Sequence, residues 1–174
     1  MDLKLKLDQL LKRVEKPGRY IGGEVNSAVK NPEDVEANFA FAFPDLYEIG
    51  MSYLGLQILY NVLNRKENIY CQRVFAPAAD MEDLMRQENV PLMTLETKTP
   101  LKDMDFVGFT LQYEMSYTTV LNMLDLAQIP LYSKERGDEY PIIAAGGPCA
   151  YNPEPLADFI DIFVIGDGEK ALPD

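Results

Sequence analysis

The residues with most scope for chemistry lie in Asp45-Leu46-Tyr47-Glu48-Ile49-Gly50. An apolar run, 38–43, precedes this stretch and a helix-like segment, 51–63, follows it. A strand, a tight loop and a helix N-terminus in that order form a small-ligand cradle in open α/β sheets, where ligands sit beyond the carboxyl ends of the strands near free helix N–H groups. Asp45 offers a carboxylate to a polar head group, and Gly50 lets the backbone turn or approach a ligand closely. The same residues also serve a βα loop that only connects. The chain contains no histidine. It therefore lacks the usual neutral-pH base, the Ser–His and Cys–His nucleophile pairs and the commonest metal ligand, which argues against an autonomous hydrolase. No carboxylate or lysine pair is singled out, so no catalytic residue is assigned.

Three other loops follow apolar runs. Thr110-Leu111 ends one strand and offers a hydroxyl, although Thr is also a good strand residue. Gly146-Gly147-Pro148 permits close backbone approach to a bulky ligand, and equally suits a plain turn. Gly166-Asp167-Gly168-Glu169 lines a ligand rim or caps a following helix; without a third spaced glycine it is weak support for a dinucleotide site. Tyr47, Tyr53, Tyr113, Tyr117 and Tyr151 fall on or beside these loops, and rings with polar tips suit a flat, amphipathic cofactor.

Composition narrows the classes further. Hydrophobic residues make up 47% and charged ones 25% of 174 residues, as in soluble globular domains. A net charge of −12 disfavours a non-specific grip on nucleic acid or anionic lipid. Cys71 and Cys149 lie far apart, which argues against a zinc site or an iron–sulfur cluster held by this chain alone. They suit a reducing, cytoplasmic setting, and no run approaches membrane-spanning length.

The elements that must position the loops are read from periodicity. Residues 2–15 form an amphipathic helix stopped by Pro17-Gly18, and 19–35 an ordered connecting arm in which Arg19 is a candidate anion binder. Residues 1–37 are thus an N-terminal helix and arm, and 38–174 the main domain. Strand-like runs at 38–43, 69–75, 106–111, 141–145 and 160–165 alternate with helices at 51–63, 79–89 and 116–127. Asp80 or a neighbour is expected to cap the second of these helices, Met81, Met85 and Met93 to fill core, and 91–95 to form an edge strand. Alternation and continuous apolarity call for a doubly wound, flavodoxin-like α/β fold with a parallel sheet of about five strands in the order 2-1-3-4-5. The last residues, from Gly168, read as the opening of a helix within a longer protein.

From Tyr20 to Glu169 the sequence resembles the N-terminal, cobalamin-binding-like domain of cobalamin-dependent radical SAM proteins, in particular an uncharacterised subgroup. The resemblance rests on Gly146-Gly147-Pro148, Asn152-Pro153-Glu154-Pro155, Asp158, Asp161 and Val164-Ile165-Gly166-Asp167-Gly168-Glu169, with Arg19–Glu24 and Tyr53–Gln57 in support. It implies a covalently following radical SAM barrel carrying S-adenosylmethionine and an iron–sulfur cluster. It also implies a cobalamin pocket involving Asp45, Tyr47, Gly50, Thr110, Leu111, Gly146, Gly147, Pro148 and Gly166. Related cobalamin domains carry D-x-H-x-x-G after the first strand, with the histidine on cobalt. Here Asp45-x-Tyr47-x-x-Gly50 keeps the spacing and puts Tyr47 where the histidine would be. A phenol is a poor neutral ligand for cobalt, so the resemblance implies a base-off cobalamin without a histidine below it, Tyr47 lying under the corrin or filling the vacated space. A cofactor-free structural or interaction domain is the alternative.

Overall fold

The computed structural model describes residues 3–172. Five strands, β1 (Ala37–Phe43), β2 (Ile69–Phe75), β3 (Phe106–Thr110), β4 (Ile142–Gly146) and β5 (Ile162–Val164), form one all-parallel sheet in the order β2-β1-β3-β4-β5. This is the flavodoxin-like order expected from the alternation of runs. Its switch point lies between β1 and β3, where the chain's connections leave in opposite directions along the sheet.

The sequence of β1 explains how the two layers divide. Its alternating phenylalanines and alanines send Phe39, Phe41 and Phe43 to one face and Ala40 and Ala42 to the other. The small side chains admit α1 (Leu3–Leu11), α5 (Ala79–Glu88) and α6 (Tyr117–Leu126), whose Leu10, Met81 and Met123 join Val107, Phe109 and Ile143 in a closed core. The phenylalanines meet Leu56, Tyr60 and Leu63 of α4 (Leu54–Asn64). Burying each such ring stabilises the fold by about 2–3 kcal/mol. Two short helices, α2 (Gly18–Ile21) and α3 (Tyr47–Ser52), sit in the arm and in the loop after β1, and α7 (Gly168–Ala171) follows β5. Met81 and Met85 are buried and Met93 packs partly against them, as core filler.

Four local expectations need correction. The first helix ends at Leu11 rather than 15, because the next segment turns and the Glu15 N–H is drawn to Asp80 Oδ2 at 2.7 Å; Asp2 lies outside the described residues. Asp80 is not the N-cap: α5 follows Ala78, which gives no side-chain cap, and Asp80 inside the first turn shares its carboxylate between the Glu15 N–H and the Met81 N–H at 2.8 Å, while the Ala78 N–H donates to the Tyr20 hydroxyl. The segment 51–63 is two helices, not one. Tyr53 between them is extended (φ −83, ψ 110), since its ring leans on Phe43 and its hydroxyl reaches Gln112. Residues 91–95 contribute only an isolated bridge, Met93 to Pro100. Side chains and a loop instead close the outer edge of β2. Asn64 pairs with the Cys71 N–H and C=O, the Leu95 N–H donates to the Arg73 carbonyl, and the Arg73 N–H donates to Glu96. An edge so occupied cannot add another strand.

No helix among the described residues is long and apolar enough to cross a membrane.

Candidate functional site

A cavity of about 180 Å³ opens at the carboxyl ends of β3 and β4, on the phenylalanine face of the sheet. Its floor is Phe39, Phe41 and Gly108, and Gly108 is required there: a Cβ on it would collide with the Phe39 ring. One wall is the backbone of Gly146, Gly147 and Pro148, and the opposite wall is Tyr53, Gly55 and Leu59 from the start of α4. Gly166, Gly168 and Leu172 form the outer rim. The polar end is a short relay: the Tyr53 hydroxyl donates to Gln112 Oε1 at 2.8 Å, and Gln112 Nε2 donates to the Thr110 hydroxyl. Apolar walls, bare backbone on one side and a few polar groups at one end are the general make-up of a small-molecule site. The two wall glycines differ. Gly147 has φ +99, and a Cβ there would press on Leu111 O at 2.9 Å, whereas a Cβ on Gly146 would meet only ordinary contacts with Val164 from 3.5 Å.

Beside this cavity, at the β1–β3 switch point, a hydrogen bond joins the two loops. The Tyr113 hydroxyl donates to Asp45 Oδ2 at 2.6 Å, while Asp45 Oδ1 accepts the Leu46 N–H at 2.7 Å. The hydrogen bond to Asp45, then partial burial and the carboxylate's charge, raise the Tyr113 phenol above its ordinary range.

Tyr47 faces the β2 side instead. Its ring meets Phe75 edge-on at 5.4 Å and its hydroxyl donates to Glu24 Oε1 at 2.9 Å. Burial and the Glu24 carboxylate both raise its phenol. Glu24 in turn pairs with Arg73 at 3.0 Å, and Arg73 also binds Glu96 at 2.8 Å and Ser27 while lying 4.6 Å over the Tyr60 ring. Burial opposes the Glu24 charge, yet its own backbone N–H, Tyr47, Ser27 and Arg73 together hold the carboxyl below its usual range. This network fastens the arm to β2. Arg19, the candidate anion binder, holds a carboxylate of the chain itself, Glu48 at 3.0 Å.

Residues 55–174 match the family described as radical SAM proteins, N-terminal. The chain belongs to this family. A similar protein is the uncharacterized protein MJ0966 of Methanocaldococcus jannaschii, 28% identical over 134 residues that cover 76% of this chain and 24% of the relative. The chain thus spans about a quarter of that relative's length. No solved structure matches it.

In this radical SAM N-terminal domain the nine residues singled out in the sequence divide into groups. Thr110, Gly146, Gly147, Pro148 and Gly166 line the cavity together. Asp45 and Tyr47 sit in the loop after β1 but on other partners, as described above. Gly50 lies buried in α3, where a Cβ would strike Phe75 and crowd Phe43 at 3.1 Å, so packing alone demands it. Leu111 is buried in the opposite core, its N–H on the Gly146 carbonyl. Phe39, Phe41, Gly108 and Gln112 are not legible as site residues from sequence, and Tyr53 is legible only as one of five tyrosines beside the loops. Gly108 carried the best signal, since a glycine inside a strand marks close approach. Among the described residues no three Cys, Asp or Glu side chains gather to hold a metal.

Proposed function

We propose that this chain is the N-terminal accessory domain of a radical SAM enzyme and that its cavity receives the nucleotide tail of a base-off cobalamin. The catalytic barrel, with S-adenosylmethionine and an iron–sulfur cluster, would follow covalently in the whole protein, in a reducing compartment that leaves Cys71 and Cys149 as free thiols. The observation that carries the reading is the cavity. At about 180 Å³ it slightly exceeds the size that holds one benzene, so it suits the flat benzimidazole ring and not a corrin. Thr110 would meet a polar atom of the tail, and Gly146 would let its ring lie against the backbone. The corrin would lie outside, over the strand ends. Tyr47 would give it no ligand while bonded to Glu24, so cobalt would have no protein donor beneath it. Bound cobalamin would supply methyl transfer or radical chemistry; this domain would only hold and orient it.

A second reading, a domain of the same enzyme that binds no cofactor, is favoured by the Tyr113–Asp45 hydrogen bond over the crevice. Comparing cobalamin with cobinamide, the corrin that lacks the nucleotide tail, tests the choice on the full-length protein. The tail-binding reading expects cobalamin to be retained through gel filtration and cobinamide to be lost. Equal retention of both would refute a tail pocket, and retention of neither would support the cofactor-free domain.

A further inference from the structure

The two faces of the sheet are unequally covered. Three helices close the alanine face, whereas among the described residues the phenylalanine face is covered by α3, α4, Ala28 of the arm and the single turn of α7. The strand register puts Phe106, Ile142, Ala144, Ile162 and Val164 on that face, side by side across β3, β4 and β5. Ile142 is 41% and Ile162 49% exposed, and they are the only exposed residues of the five strands. The outer edge of β5 is also bare: among the described residues no side chain or loop pairs with it, in contrast to the closed edge of β2.

We propose that this apolar corner is the seat of the chain segment that follows residue 174 in the whole protein, packed as an amphipathic helix beside α4 and antiparallel to β5. Three observations choose this occupant. The turn of α7 already sits at the top of the face, with Gly168 against Leu59 and Leu172 within the phenylalanine cluster, so chain leaving Leu172 starts at the seat. The similar archaeal protein is about three times as long, so it holds sequence beyond the matched part. A second copy of this chain is disfavoured because each carries a net charge of −12. A helix of about eleven residues matches the length of β4, and sheets of parallel strands are covered on both faces. The helix would also supply the missing outer wall of the cavity rimmed by Gly166 and Gly168, whatever that cavity binds.

Thiol labelling of the full-length protein tests the seat. Ile162→Cys and Ile142→Cys variants are treated with a maleimide, natively and in urea, and modification is read by mass spectrometry on the peptide concerned. A covered seat slows native labelling by at least about tenfold relative to the unfolded chain. Native labelling near the unfolded rate, or protection that vanishes on dilution and so reports a second copy, overturns the proposal.

Discussion

Tyr113 holds Asp45 across the switch point of the sheet, hydroxyl to carboxylate at 2.6 Å, so the loops after β3 and β1 are linked where a doubly wound sheet would admit a ligand. The phenol is 41% exposed, and a neutral hydrogen-bond donor at such a site contributes about 1 kcal/mol or less. Tyr113→Phe should therefore shift the urea midpoint little. If a corrin covers the strand ends, the substitution should leave cobalamin retention unchanged or improved; a large loss would assign Tyr113 a direct contact with the ligand.

Arg73 is the charge most deeply committed to the fold, nearly inaccessible and shared by Glu24 and Glu96. Arg73→Met removes the cation and leaves two carboxylates facing one another, at a cost of about 3–5 kcal/mol by urea unfolding. Retained stability would mean that the arm is not fastened through this network.

The depressed Glu24 carboxyl gives stability a defined pH dependence. A carboxylate whose folded pKa lies below its unfolded value contributes stability that is fully present above the unfolded value and is lost as pH falls through the folded one. Urea midpoints should therefore decline as pH drops below about 5, and Glu24→Gln should flatten part of that decline. Identical acid limbs in the two proteins would contradict the assignment.

The adjacent glycines of the cavity wall should respond differently to the same change. Gly147→Ala forces a side chain into a left-handed backbone against Leu111 and should cost about 1–3 kcal/mol. Gly146→Ala meets no hard contact and should stay within about 1 kcal/mol of the parent, yet its methyl group narrows the cavity. Selective loss of cobalamin retention in Gly146→Ala, with stability unchanged, would separate binding from folding.

The strand order was legible because β1 to β4 are apolar runs separated by helix-period segments, and parallel strands buried on both faces must read that way. What escaped were features fixed by partners distant in sequence. The break at Tyr53 depends on Gln112, 59 positions away, and Asp80 serves the backbone of Glu15, 65 positions away. Tyr47 could be placed in its loop by spacing, but its direction is set by Glu24 in the arm and Phe75 in β2. Thr110, Gly146 and Gly147 could be grouped in advance because parallel strand ends converge, whereas the floor of Phe39 and Phe41 read simply as strand.

The most direct measurement is the visible spectrum of the full-length protein after reconstitution with hydroxocobalamin and removal of free ligand. The account predicts a retained corrin with a base-off spectrum and no signature of histidine on cobalt, since the chain has no histidine and Tyr47 is bonded to Glu24. A protein that retains no corrin absorption, or a base-on spectrum, would contradict it.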